Sequence, residues 1–118
     1  MSKRDTLLLL DDMLQSVHKI KQYTKDLDYN AFLADDKTKD AVVRNFVIIG
    51  EAANRIDPDF INKNPEIEWK RIRGLRNRIV HDYFGIDYEI VWNIIETYLD
   101  ELIDWLEMVI AKNKNPQP

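Results

Sequence analysis

Apolar residues recur at helical spacing through most of the chain. Leu7, Leu10, Leu14, Val17 and Thr24 lie three, four or seven apart and predict a first helix from about Arg4 to Thr24. Ser2 with Asp5 three residues on supplies a capping box in front of it. A short turn or helix follows over Tyr29–Ala34. A second helix is predicted from about Thr38 to Ile56. Val42, Val43, Phe46, Val47, Ile48, Ile49, Ala52 and Ala53 cover most of its circumference, so it should be the most buried element. Asp57-Pro58 reads as a cap followed by proline at a first helical position, opening one short turn. Asn64-Pro65 repeats that signal and predicts a third helix from about Pro65 to Tyr83. Gly74 inside it allows a kink or a close helix contact, and Gly85 is the expected stop. Asp87 caps a fourth helix, with Ile86 and Val91 as a hydrophobic staple. Its core stripe is Val91, Ile95, Tyr98, Leu102, Leu106 and Val109.

Four main helices joined by short loops predict an all-α antiparallel bundle. The expected organisation is one domain over residues 1–111 and a frayed tail over 112–118. Composition agrees: the chain has only 3 Gly and 4 Pro in 118 residues, too little turn chemistry for a multi-stranded β fold. There is no cysteine, which removes disulfide scaffolds, thiolate zinc sites and cysteine nucleophiles. No apolar run approaches the roughly 18 residues of a membrane span. Met-Ser-Lys-Arg and a four-leucine run before Asp11 and Asp12 do not make a signal peptide. A cytoplasmic protein without membrane partners is therefore expected.

Charge divides the chain unevenly. The net charge is −4, from 17 basic and 21 acidic residues, which counts against a generic nucleic-acid binder. Lys70, Arg71, Arg73, Arg76 and Arg78, however, fall within nine residues that hold no acid. Removing these five from the 17 leaves 12 basic residues against 21 acidic ones. The sequence describes an acidic body with one basic stripe.

Two histidines are candidates for chemistry. His18 stands between Val17 and Lys19 with no polar constellation beside it, and reads as a surface or boundary residue. His81 closes the run Arg76-Asn77-Arg78-Ile79-Val80-His81. On a continuous helix, Asn77 and His81 share a face, and Arg76 borders the same surface. Imidazole titrates near neutral pH and moves protons. Guanidinium grips phosphate through two parallel hydrogen bonds. An amide four residues away can select which ring nitrogen carries the proton. Together these are the parts for cleaving RNA without a metal: the 2′-hydroxyl loses a proton, attacks the adjacent phosphorus, and the 5′-oxygen leaves with a proton. The plainer reading is a histidine interacting with a helix C-terminus beside a solvated arginine face. Trp69, Trp92 and Trp105 read as core or dimer contacts, with base stacking open to Trp69. Glu51 reads as a structural partner of an arginine. Asp11-Asp12 and Asp35-Asp36 read as caps and solvated faces, so no metal site is expected.

The run from Arg76 through His81 to Tyr83 resembles the Arg-x4-His-x-Tyr motif of HEPN-domain proteins. More narrowly, the chain resembles the HepT-like ribonuclease toxins. Ile49-Gly50-Glu51-Ala52-Ala53, Trp69 and Val91-Trp92-Asn93-Ile94-Ile95 fit that branch, and the likeness runs in order from about Leu8 to Leu106. The resemblance implies an all-α bundle that forms a two-fold homodimer, with both motifs facing one cleft. It implies a metal-independent endoribonuclease in which Arg76 and His81 are catalytic and Asn77 supports them. It also implies a partner, an antitoxin nucleotidyltransferase of the MNT type. That partner would transfer AMP from ATP to Tyr83, so the chain itself would need no cofactor.

The basic stripe acquires a purpose in this setting. Two copies would place ten basic side chains near one cleft and draw in polyanions despite the net charge. Arg73 and Arg78 are the expected RNA contacts; Lys70 and Arg71 are equally open to pairing with Glu66 or Glu68. The alternative is a non-catalytic, nucleotide-binding helical partner subunit of a minimal nucleotidyltransferase.

Overall fold

Ser2 opens the first helix as its capping box predicts, with its hydroxyl accepting from the Asp5 amide at 3.1 Å. A computed structural model describes residues 2–81 and 85–114. Among them are α1 (Lys3–Thr24), α2 (Tyr29–Ala34), α3 (Asp36–Asn54), α4 (Pro58–Lys63), α5 (Trp69–Arg73), α6 (Leu75–Ile79), α7 (Tyr88–Thr97) and α8 (Leu99–Lys114). The fold is all-α, as expected. Among the described residues the sole β-type pairing is one isolated bridge, Val80 to Ile86.

The core forms where α1 lies along α3 and α8. Leu10, Met13, Val17 and Ile20 of α1 meet Val42, Phe46 and Ile49 of α3 and Leu102, Leu106 and Val109 of α8, all fully enclosed. Each such side chain contributes about 1.5–3 kcal/mol on leaving water, and this burial holds the long helices in place. Glu51 lies exposed near the end of α3.

The predicted third helix is not continuous. Pro65 opens no helix, and α5 begins only at Trp69. Ile67 and Trp69 are both buried, and residues two apart point in nearly opposite directions on a helix, about 200° round it. Non-helical backbone before Trp69 lets both reach the core. Buried Asn64 pins this segment: its side chain donates to the Phe60 carbonyl at 2.8 Å, and its own carbonyl accepts from the Trp69 indole at 2.8 Å. Gly74 then divides α5 from α6, being the C-cap of one and the N-cap of the other. Gly50 of α3 sits under this junction. A β-carbon there would lie 3.6–3.8 Å from the Ile72 and Arg73 carbonyls and the Arg76 amide, ordinary contact distances, so α3 packs directly against the backbone that carries the motif.

The fourth helix is also interrupted. It begins at Asp87 as predicted, but α7 gives way to α8 at Tyr98, whose φ of −125° and ψ of −27° lie off helical geometry. Tyr98 and Leu99 are adjacent and both enclosed; the break turns both inward. The α8 helix continues through Lys112 to Lys114, and residues 115–118 of the expected tail lie outside the described residues. No helix among the described residues is long and apolar enough to cross a membrane.

Candidate active site at the end of α6

Leu75 and Ile79 bury one side of α6, which leaves Arg76, Asn77 and Arg78 exposed on the other. The helix stops at Ile79. Val80 is extended, with φ −104° and ψ 117°. His81 therefore stands beyond the helix, and the four-residue spacing from Asn77 no longer aligns the two side chains. The Asn77 carbonyl oxygen instead accepts from an Arg76 guanidinium nitrogen at 3.4 Å. The amide supports the arginine, and the expected hold of Asn77 on the imidazole is replaced by a backbone contact. His81 Nε2 lies 3.0 Å from the carbonyl oxygen of Arg78.

What stops the helix also positions the histidine. Val80 bridges Ile86, the His81 amide donates to the Gly85 carbonyl at 2.7 Å, and the Asp87 amide donates to the Ile79 carbonyl at 2.9 Å. Gly85 closes this hairpin at φ +81°, a left-handed conformation that glycine adopts without steric cost. Tyr83, with Asp82 and Phe84, lies outside the described residues.

The basic stripe separates into different tasks. Arg73 is half-buried and reaches back to α3: its Nε donates to the Ala53 carbonyl and an Nη to the Ile56 carbonyl, each at 3.2 Å. Arg71 pairs with Glu68 at 3.3 Å, and its guanidinium covers the Tyr98 ring at 3.7 Å. Glu66 pairs with Lys112 at 3.4 Å. Lys70, Arg76 and Arg78 remain exposed. Trp69 is core rather than a stacking platform, being buried and bonded through its indole nitrogen. His18 is exposed on α1.

Three features were not anticipated. The Asp87 carboxylate lies 4.0 Å from His81 Nε2 while its other oxygen caps α7. A groove of about 430 Å³ opens beside His81, lined among others by Tyr29, Leu33, Asp87 and Tyr88. Burial, then the Glu89 and Asp87 carboxylates, raises the Tyr29 phenol above its ordinary value. The sequence signal was the pairing of Ile79-Val80-His81 with Gly85-Ile86-Asp87, a hairpin pattern overlaid by a helical one. Among the described residues no group of three or more histidine and acidic side chains is placed to hold a metal ion.

An all-α bundle that carries Arg76 and His81 at the exposed end of a helix, backed by the glycine of α3, defines a HEPN-like domain. The chain belongs to the family described as ribonuclease HepT-like, which matches residues 13–109. Two relatives from Methanocaldococcus jannaschii are described as candidate RNases. One is 42% identical, over 92% of this chain and 100% of its own. The other is 40% identical, over 93% of this chain and 91% of its own. A Thermococcus cleftensis protein described as a probable ribonuclease HepT is 34% identical, over 85% of this chain and 91% of its own. No solved structure matches the chain.

Proposed function

We propose that the chain is a metal-independent endoribonuclease, acting in the cytoplasm as the toxin of a toxin–antitoxin pair. The observation that carries this reading is the joint exposure of Arg76 and His81 where α6 ends, above a fully buried Leu75 and Ile79. The histidine has a proton-exchanging ring open to solvent, and the arginine offers positive charge for a phosphate. His81 takes the 2′-hydroxyl proton of RNA, the freed oxygen attacks phosphorus, and the 5′-oxygen departs with a proton. Arg76 steadies the negative charge that builds on phosphorus, and Asn77 holds its guanidinium. Arg78 contacts the flanking backbone; Arg73 adds charge from beneath the stripe while serving α3.

One chain offers one histidine to this step, whereas cleavage uses a base and an acid. A two-fold homodimer supplies the second from its partner and makes the cleft composite. Regulation falls on Tyr83. An MNT-type nucleotidyltransferase, using ATP, joins the tyrosine oxygen to the α-phosphorus and releases pyrophosphate. The added AMP occupies the cleft and places a phosphate beside the arginines.

The test is incubation of purified protein with RNA in EDTA, beside a His81→Ala control, with light scattering of the same samples. Expected are a dimer, cleavage that persists without metal, 2′,3′-cyclic phosphate ends or their hydrolysis products, and no cleavage by the control. Activity that requires added magnesium, or cutting by the His81→Ala protein, overturns the mechanism. A monomer that cuts removes the composite site.

A further inference from the structure

We infer that Asp87 is a positioning residue for His81 and that it reserves Nδ1 of the ring for proton exchange with RNA. The purpose of that exchange rests on the ribonuclease reading above; the arrangement itself does not. The Val80–Ile86 bridge sets it up. Alternate residues of paired strands share a face, so the residues just outside the bridge, His81 on one side and Asp87 on the other, are diagonal neighbours. The two backbone hydrogen bonds that flank the bridge, His81 to Gly85 and Asp87 to Ile79, lock this register.

Hydrogen-bond chemistry then assigns the ring. Nε2 is 3.0 Å from the Arg78 carbonyl oxygen, which can only accept, so Nε2 carries hydrogen. Neutral imidazole has one N–H, and the free lone pair is left on Nδ1. The Asp87 carboxylate reinforces the choice from 4.0 Å, on the Nε2 side of the ring. Groove-lining Glu89, Tyr29 and Tyr88 also face His81, and Arg78 precedes it on α6. Among the described residues Asp87 is the sole carboxylate within 4.0 Å of its ring nitrogens.

Asp87 has a second duty that must be separated from the first. Its Oδ1 accepts from the Ile90 amide at 3.2 Å and caps α7. Asparagine caps a helix about as well as aspartate and is nearly the same size, but carries no charge. Asp87→Asn therefore keeps the cap and removes the carboxylate; Asp87→Ala removes both.

The experiment compares wild type, Asp87→Asn and Asp87→Ala by thermal unfolding, by RNA cleavage kinetics, and by ¹⁵N spectra of the imidazole. Asp87→Asn should unfold at the wild-type temperature and Asp87→Ala below it. Asp87→Asn should lose at least about tenfold in kcat with little change in KM. The wild-type ring should be the Nε2–H tautomer, with the Nδ1–H form growing in Asp87→Asn. Wild-type kcat and an unchanged tautomer in Asp87→Asn would leave Asp87 as a cap alone. An inactive wild type would count against the ribonuclease reading, while the ¹⁵N spectra would still decide the role of Asp87.

Discussion

Arg73 Nε donates to the carbonyl oxygen of Ala53 across 3.2 Å, and this contact ties α5, the helix before the motif, to the end of α3. A second bond reaches the Ile56 carbonyl, also at 3.2 Å. The Ala53 carbonyl, at the partly negative end of α3, accepts from the guanidinium as well as from the Ile56 amide at 3.3 Å, and the Ile56 carbonyl lies just beyond that helix. Truncation should therefore be felt as stability. Arg73→Ala is expected to lose about 1.5–3 kcal/mol, the scale of hydrogen bonds to a charged group. Urea denaturation checks this, and an unchanged midpoint would mean that the two contacts contribute nothing net.

Arg76 and Arg78 are exposed on the same short helix, and alanine at either should change stability by no more than about 0.5 kcal/mol. Their effects on RNA should differ. Arg76→Ala should abolish cleavage while RNA still binds. Arg78→Ala should weaken binding to all sequences alike and flatten the salt dependence by about one unit of log–log slope. Binding measured across a salt series decides, and an unaltered slope would take Arg78 out of the RNA path.

Tyr98 offers a pH test of the core. Burial pushes its phenol from the ordinary 10.0 up to about 12, against a smaller opposing effect of the Arg71 guanidinium. The unfolded chain ionises this group near its ordinary value while the folded chain still holds the proton. The folded state then binds more protons, so stability is fully present below pH 10 and falls as pH rises through about 12. Among the described residues the hydroxyl has no hydrogen-bond partner. Tyr98→Phe should accordingly be neutral or stabilising near neutral pH, within about 1 kcal/mol. It should also lessen the alkaline loss, as read by urea midpoints across that range. An equal loss in both proteins would place the titration elsewhere.

Tyr83 is proposed to receive AMP, and intact mass is the direct readout. Co-expression with a neighbouring nucleotidyltransferase should add AMP units that map to Tyr83 and vanish in Tyr83→Phe. RNA cleavage should be lost only in the modified protein. Inhibition of a complex whose Tyr83 stays unmodified would mean that the partner acts by occluding the cleft.

Much of this protein was legible in local pattern. The caps Ser2, Asp35, Asp57 and Asp87 each accept from an amide two or three residues ahead. Such bonds are decided within a single turn, which is why helix starts could be read from sequence. The all-α class and the buried Leu102, Leu106 and Val109 of α8 followed from periodicity, whereas on α1 the buried stripe is turned: Leu9, Met13 and Ile20 join Leu10 and Val17 in the core, and Leu7 and Leu14 are half-buried. What sequence alone left undecided is where the motif helix breaks and which way its arginines turn. The pattern predicts one helix from about Pro65 to Tyr83, but Ile67 and Trp69 must both reach the core, and α3 packs at Gly50 against the backbone on either side of Gly74. Arg73 serves carbonyls 17 and 20 residues earlier in the chain. His81 meets Asp87 because Val80 finds a bridge partner in Ile86 rather than continuing a helix. These outcomes depend on which distant backbone group is free to bond and which surface must be covered, and only the packed structure brings those groups together.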